Sequence, residues 1–125
     1  MTEEEVVSII RGHLEGQFPK VCANCERRFT SFRHYLQNTT RLGSAMSYDA
    51  EIGNWKPKKP LGAFTYSNCP CGSTLALSSA GMPLLRLWSL LNWARVETRR
   101  RNQTVEQLLN DLRTRICQEV LAETD

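Results

Sequence analysis

Four cysteines fall in two short clusters, Cys22-Ala23-Asn24-Cys25 and Cys69-Pro70-Cys71-Gly72, with 43 residues between them. A Cys-x-x-Cys turn lets two thiolates face one point while the backbone reverses. In the second cluster Pro70 stiffens the corner and Gly72 permits a positive φ. Two such corners brought together form a closed four-thiolate site, the usual form of structural zinc. The expected ligands are Cys22, Cys25, Cys69 and Cys71, and the expected cofactor is one structural Zn²⁺. Catalytic zinc keeps a position open for water, which four thiolates close, and no carboxylate or His near either knuckle offers itself as a general base. Iron, unligated core cysteines and a redox dithiol at Cys22/Cys25 remain as alternatives. The redox motif opens a helix inside a βαβ unit, a setting this sequence lacks.

The elements that must position these knuckles can be read from periodicity. Residues 2–15 form an amphipathic helix, with Thr2 as N-cap, Glu5 three positions on, and Val6, Val7, Ile9, Ile10 and Leu14 on one face. Gly16 stops it. Phe18-Pro19-Lys20-Val21 leads extended into the first knuckle. Thr30 caps a short helix to about Asn38 that turns Phe32, Tyr35 and Leu36 inward. Residues 39–60 are broken by Gly, Pro, Asn and Ser and read as a long loop. Tyr48 and Trp55 are candidates to pin it, and Lys56, Lys58 and Lys59 form a small basic patch. Residues 61–67 and 73–78 read as two strands, which makes the second knuckle the turn of a β-hairpin. Pro83 starts a helix over 83–98, Asn102-Gln103 turn the chain, and Thr104 with Gln107 boxes a last helix to about Ala122.

The motif Cys22-x2-Cys25-x3-Phe29 followed by a helix resembles the front half of a C2H2 zinc finger or a treble-clef knuckle. No His-x3-5-His pair follows, and His34 stands early and alone. With Cys69 and Cys71 as the second pair, the chain more closely resembles four-cysteine zinc ribbons and treble clefs, although Cys-x-Cys departs from their usual second Cys-x-x-Cys. The resemblance covers under twenty residues around the first knuckle. The elements read above add up to an expected α+β fold: a small four-cysteine zinc module with a β-hairpin, packed against a C-terminal helical hairpin and an N-terminal helix.

Size and composition agree with that class. The chain has 125 residues, 41% of them apolar, and reads as one domain, with a zinc-binding part over 18–80 and a helical hairpin over 83–122. Small domains bury proportionately less surface, so a metal staple is useful. The acidic start Met1-Thr2-Glu3-Glu4-Glu5 is unlike a secretory signal, and no run is long and apolar enough to span a bilayer. A cytoplasmic protein without membrane contact is expected, where thiols stay reduced. The formal charge of +3, less four thiolate charges and plus two for a divalent ion, is +1, so net charge favours no class of partner.

Two arginine clusters are candidate phosphate or partner contacts: Arg27, Arg28 and Arg33 about the first knuckle, and Arg99, Arg100 and Arg101 at a helix end. The plainer reading of the second run is a solvated C-terminus stabilised by the helix dipole. Trp88 and Trp93 lie in a helix that is apolar around most of its circumference, which suggests either enclosure or a protein interface. His13 reads as a surface or capping residue, and Cys117 as a buried small apolar residue, or otherwise a thiol at a dimer seam. The functional expectation is a non-enzymatic, zinc-stabilised binding or regulatory module with a protein partner or as a homodimer. A nucleic-acid-binding regulator and a thiol oxidoreductase are the alternatives.

Overall fold

The structure, a computed structural model, describes residues 1–42, 63–79 and 81–123. Tyr48, Trp55, Lys56, Lys58 and Lys59 lie outside the described residues. The element order is α1 (Glu3–Glu15), β1 (Lys20–Val21), β2 (Arg28–Phe29), α2 (Phe32–Asn38), β3 (Thr40–Leu42), β4 (Ala63–Asn68), β5 (Thr74–Ser78), α3 (Leu84–Arg101) and α4 (Val105–Ala122). The fold is α+β, as the sequence implies.

Helix boundaries follow local chemistry. The Thr2 hydroxyl accepts from the Glu5 N–H at 3.2 Å and starts α1, and three glutamates occupy the first turn, where the helix dipole favours anions. Ser31, one residue later than expected, caps α2 by accepting from the His34 N–H at 3.0 Å. Thr104 and Gln107 form a reciprocal box at the start of α4, with bonds of 3.1 and 2.9 Å. Between α3 and α4, Asn102 takes the left-handed conformation at φ 53°, which Asn tolerates better than most residues. This tight turn folds α4 back beside α3.

The strands make two antiparallel sheets. β1 and β2 pair Lys20 with Phe29 and Val21 with Arg28, bracketing the first knuckle. The second sheet has the order β3-β4-β5, with Thr40 opposite Asn68 and Asn68 opposite Thr74. The expected β4–β5 hairpin is present. The β1–β2 pair and β3 are two to three residues long, too short to show a period of two, and were not expected.

Helix α4 is the hub. It contacts α1, α2 and α3 as well as β4, and it buries Leu108, Leu109, Leu112, Ile116, Cys117 and Val120. Such positions recur every three or four residues on one face. From α1 come Val6, Val7, Ile10 and Leu14, and from α3 Leu87, Leu90, Leu91 and Ala94. An aromatic group joins this core to the first knuckle. Tyr35 is fully buried and meets Phe18 and Phe29 edge-on, with ring centres 5.5 and 5.6 Å away. Edge-to-face pairs of this kind add about 0.5–1.5 kcal/mol to simple burial. Among the described residues, no helix is long and apolar enough to cross a membrane.

Candidate metal centre

Both knuckles are tight turns closed by backbone hydrogen bonds. In the first, the Cys22 N–H donates to the Arg27 carbonyl at 2.9 Å and the Glu26 N–H to the Cys22 carbonyl at 2.8 Å. Glu26 sits at φ 64°, a left-handed conformation that a non-glycine residue enters only at a cost. In the second, the Cys69 N–H donates to the Ser73 carbonyl and the Gly72 N–H to the Cys69 carbonyl, both at 2.8 Å. Gly72 has φ 96°, which glycine alone adopts without strain. The β4–β5 register carries this turn to the first knuckle.

The four sulfurs meet. The Sγ atoms of Cys22, Cys25, Cys69 and Cys71 all lie within 4.8 Å of one another. Cys22 Sγ is 3.7 Å from Cys71 Sγ, and Cys25 Sγ is 3.6 Å from Cys69 Sγ. A tetrahedral ion with metal–sulfur bonds of about 2.3 Å has sulfur–sulfur edges of about 3.8 Å. Both of these pairs join one knuckle to the other, as a shared central ion would. A multi-iron cluster would hold its thiolates farther apart, because several ions and bridging sulfides lie between them. Four cysteines are thus positioned to hold a single metal ion. Cys22 and Cys69 are buried, while Cys25 and Cys71 are exposed, so the site lies at the surface with its inner half in the core.

The electrostatics are those of a cluster that needs a cation. A hydrogen bond from Asn24 Nδ2 at 3.4 Å, with further bonds from Ser73, lowers the Cys71 thiol to about 5. The Cys71 backbone N–H favours the Cys69 thiolate, but burial and the neighbouring Cys25, Cys71 and Cys22 thiols outweigh it and push Cys69 up to about 12. Four adjacent thiols cannot all ionise without a positive charge among them. A cation held at the centre would supply that charge.

The other expected site residues are placed as follows. His34 Nδ1 accepts from the Thr30 N–H at 3.2 Å, and its ring leans on Phe29; it is a local brace outside the cysteine group. Arg27 and Arg28 are exposed on the first knuckle and β2. Arg33 is half-buried and lines a cleft with Glu15, Phe18 and Glu123. Arg99, Arg100 and Arg101 end α3, but they are not equivalent. Arg100 pairs with Glu97 at 2.7 Å, and Arg101 bridges Glu97 at 2.8 Å and Glu3 at 2.7 Å. Trp88 and Trp93 are half-buried against the core, with the Arg101 guanidinium 5.8 Å from the Trp93 ring centre. The bare apolar residues of α3 are Leu84, Leu85 and Val96, at 59%, 83% and 62% exposure. Cys117 is buried. Sequence reading missed Asn24, whose only signal was a polar side chain inside the turn, and the Glu3–Arg101 tie, which has no local signal.

No family model matches the chain, and neither the curated proteins nor the solved structures compared with it give a match.

Proposed function

We propose that this chain is a non-enzymatic protein-binding module whose fold is fixed by one structural Zn²⁺ on Cys22, Cys25, Cys69 and Cys71. The carrying observation is the convergence of four sulfurs from two knuckles, with inter-knuckle separations of 3.6 and 3.7 Å. Zinc suits four thiolates at this spacing, and a filled shell leaves no position for a reacting water. The ion offsets half of the thiolate charge and joins β1–β2 to β4–β5. The same chemistry disfavours dithiol exchange, because ligated thiolates are not free to attack. A reducing compartment such as the cytoplasm keeps the ligands in that state.

The protein-binding half of the reading rests on α3, which leaves Leu84, Leu85 and Val96 exposed. Phosphate binding has less support, since Arg100 and Arg101 already face carboxylates. Elemental analysis of protein prepared anaerobically without chelator tests the metal. One zinc per chain, released with loss of the fold by a strong chelator, is the expected result. Stoichiometric iron would reassign the ion, and a folded protein with no metal would remove the reading.

A further inference from the structure

The four sulfurs of the metal centre differ in what they meet. The backbone N–H groups of Cys25 and Asn24 donate to the Cys22 sulfur, and the Cys71 N–H donates to the Cys69 sulfur. The Cys71 sulfur accepts from Asn24 Nδ2 at 3.4 Å and from Ser73. Among the described residues, no N–H or O–H group donates to the Cys25 sulfur, which has the Cys69 sulfur 3.6 Å away. Cys25 and Cys71 are exposed, and Cys22 and Cys69 are buried. Cys25 is therefore the ligand that combines access to solvent with freedom from a donor.

Those two properties set the reactivity of a thiolate. A hydrogen bond to sulfur withdraws electron density and occupies a lone pair, which is how groups around a metal ligand tune it. Oxidation follows thiolate character and exposure. Four thiolates about one divalent ion keep a net negative charge, so an outer sulfur stays electron-rich while bound. Attack on it by an outside oxidant expels the ion, unlike the exchange that a resting dithiol performs.

A resolving thiol stands beside Cys25. A sulfenic acid left open to solvent proceeds to irreversible acids unless a second thiol captures it. Cys69 lies on the other knuckle, buried, so that an oxidant reaches Cys25 first. Cys22, the other buried ligand, is held by two backbone N–H bonds.

We propose that Cys25 is the oxidant-reactive thiolate of the metal centre, oxidised by a hydroperoxide ahead of the other three ligands and captured by Cys69 as a disulfide that releases the ion. The Cys25 sulfur attacks one peroxide oxygen; an S–O bond forms, the O–O bond breaks and hydroxide leaves. The Cys69 thiolate then attacks the Cys25 sulfur; the S–S bond forms, the S–O bond breaks and a second hydroxide leaves. Each hydroxide takes a proton from solvent, and two thiolates have given two electrons to one peroxide. The ion loses two of its four ligands, while the new bond keeps the β1–β2 knuckle tied to the β4–β5 knuckle. This rests on the zinc reading above and adds a regulation of the same site.

The test treats the zinc-loaded full chain with one molar equivalent of hydrogen peroxide. Zinc release is followed with a chromophoric chelator. Free thiols are then alkylated and the disulfides mapped by mass spectrometry of a non-reduced tryptic digest, which separates the knuckles because Arg27 and Arg41 lie between them. The expected result is zinc release together with a Cys25–Cys69 linked pair of peptides in which Cys22 and Cys71 are alkylated. Dithiothreitol with added zinc should restore the centre. The linkage should be lost in Cys25→Ser and kept in Cys71→Ser, although each variant removes one exposed ligand. Should either variant fail to fold, the wild-type map decides alone. A Cys22–Cys25 disulfide, first oxidation at Cys71, or sulfinic acid at Cys25 would overturn the inference and leave the zinc reading standing, as would bound zinc that peroxide does not release. Folded protein that holds no metal would overturn both.

Discussion

Glu3 Oε1 accepts a hydrogen bond from Arg101 Nη2 at 2.7 Å across 98 positions of sequence, and Glu3 Oε2 is held by Arg115. One carboxylate thereby clamps the first turn of α1 to the last turn of α3 and to α4. Partly exposed pairs of this kind are worth on the order of 1 kcal/mol. Glu3→Gln and Arg101→Gln are each expected to lower stability by about that amount in urea titrations, whereas Arg99→Gln should leave the midpoint unchanged. Equal effects from Arg99 and Arg101 would show that only the helix dipole matters.

The same clamp sets a pH response. Hydrogen bonding to Arg101 leads in holding the Glu3 carboxyl below its ordinary value of 4.5, and Arg100 leads in doing the same for Glu97. On acidification the unfolded chain therefore takes up these protons before the folded one. The stabilisation is complete above the ordinary carboxyl value and is lost as pH falls through the lower folded values. Denaturation midpoints measured between neutral and acid pH should show Glu3→Gln converging with the wild type at the acid end. A constant gap would remove the linkage.

Loss of a ligand should depend on which cysteine is replaced. Serine at any of the four weakens metal binding, as judged by competition with a chromophoric chelator. At Cys22 and Cys69, which are 0% and 2% exposed, serine also leaves a buried hydroxyl, at a cost of about 1–3 kcal/mol. In the same excess of zinc, the Cys22→Ser and Cys69→Ser proteins should therefore melt below their Cys25→Ser and Cys71→Ser counterparts. Identical melting of all four variants would show that the inner half of the site is not core.

Two leucines separate packing from surface. Leu112 is 2% exposed in the hub helix and Leu85 is 83% exposed on α3. Leu112→Ala should cost about 2–5 kcal/mol, while Leu85→Ser should stay within about 0.5 kcal/mol of the wild type. A stability loss at Leu85 comparable to that at Leu112 would mean that the exposed face of α3 is covered within the chain.

The legible parts of this fold are those written in neighbouring residues. Thr104 and Gln107 form their box, Gly72 closes the second knuckle, and the leucine spacing of α4 marks its buried face, because each signal acts within a few positions. The metal centre was legible because thiolates are few and their corners distinctive. Other features depended on the assembled chain. β3 exists because β4 offers it an edge, and Glu3 finds Arg101 only once α1 and α3 share α4. The arginine run looked uniform because charge counting cannot see which guanidinium reaches a carboxylate. The bare residues of α3 proved to be Leu84, Leu85 and Val96, since helix rotation turns Trp88 and Trp93 partly inward.

The position of α4 as the element on which α1, α2 and α3 all rest has a consequence during synthesis. A nascent chain that has left the ribosome only through Arg101 owns three amphipathic helices and both cysteine knuckles, but not the surface the helices bury against. An ion can already close the knuckles at that stage, since all four ligands precede α3. Until α4 emerges, Val6, Ile10, Leu87 and Leu90 face water and are open to chaperones. The helical half can therefore be completed only once α4 has emerged.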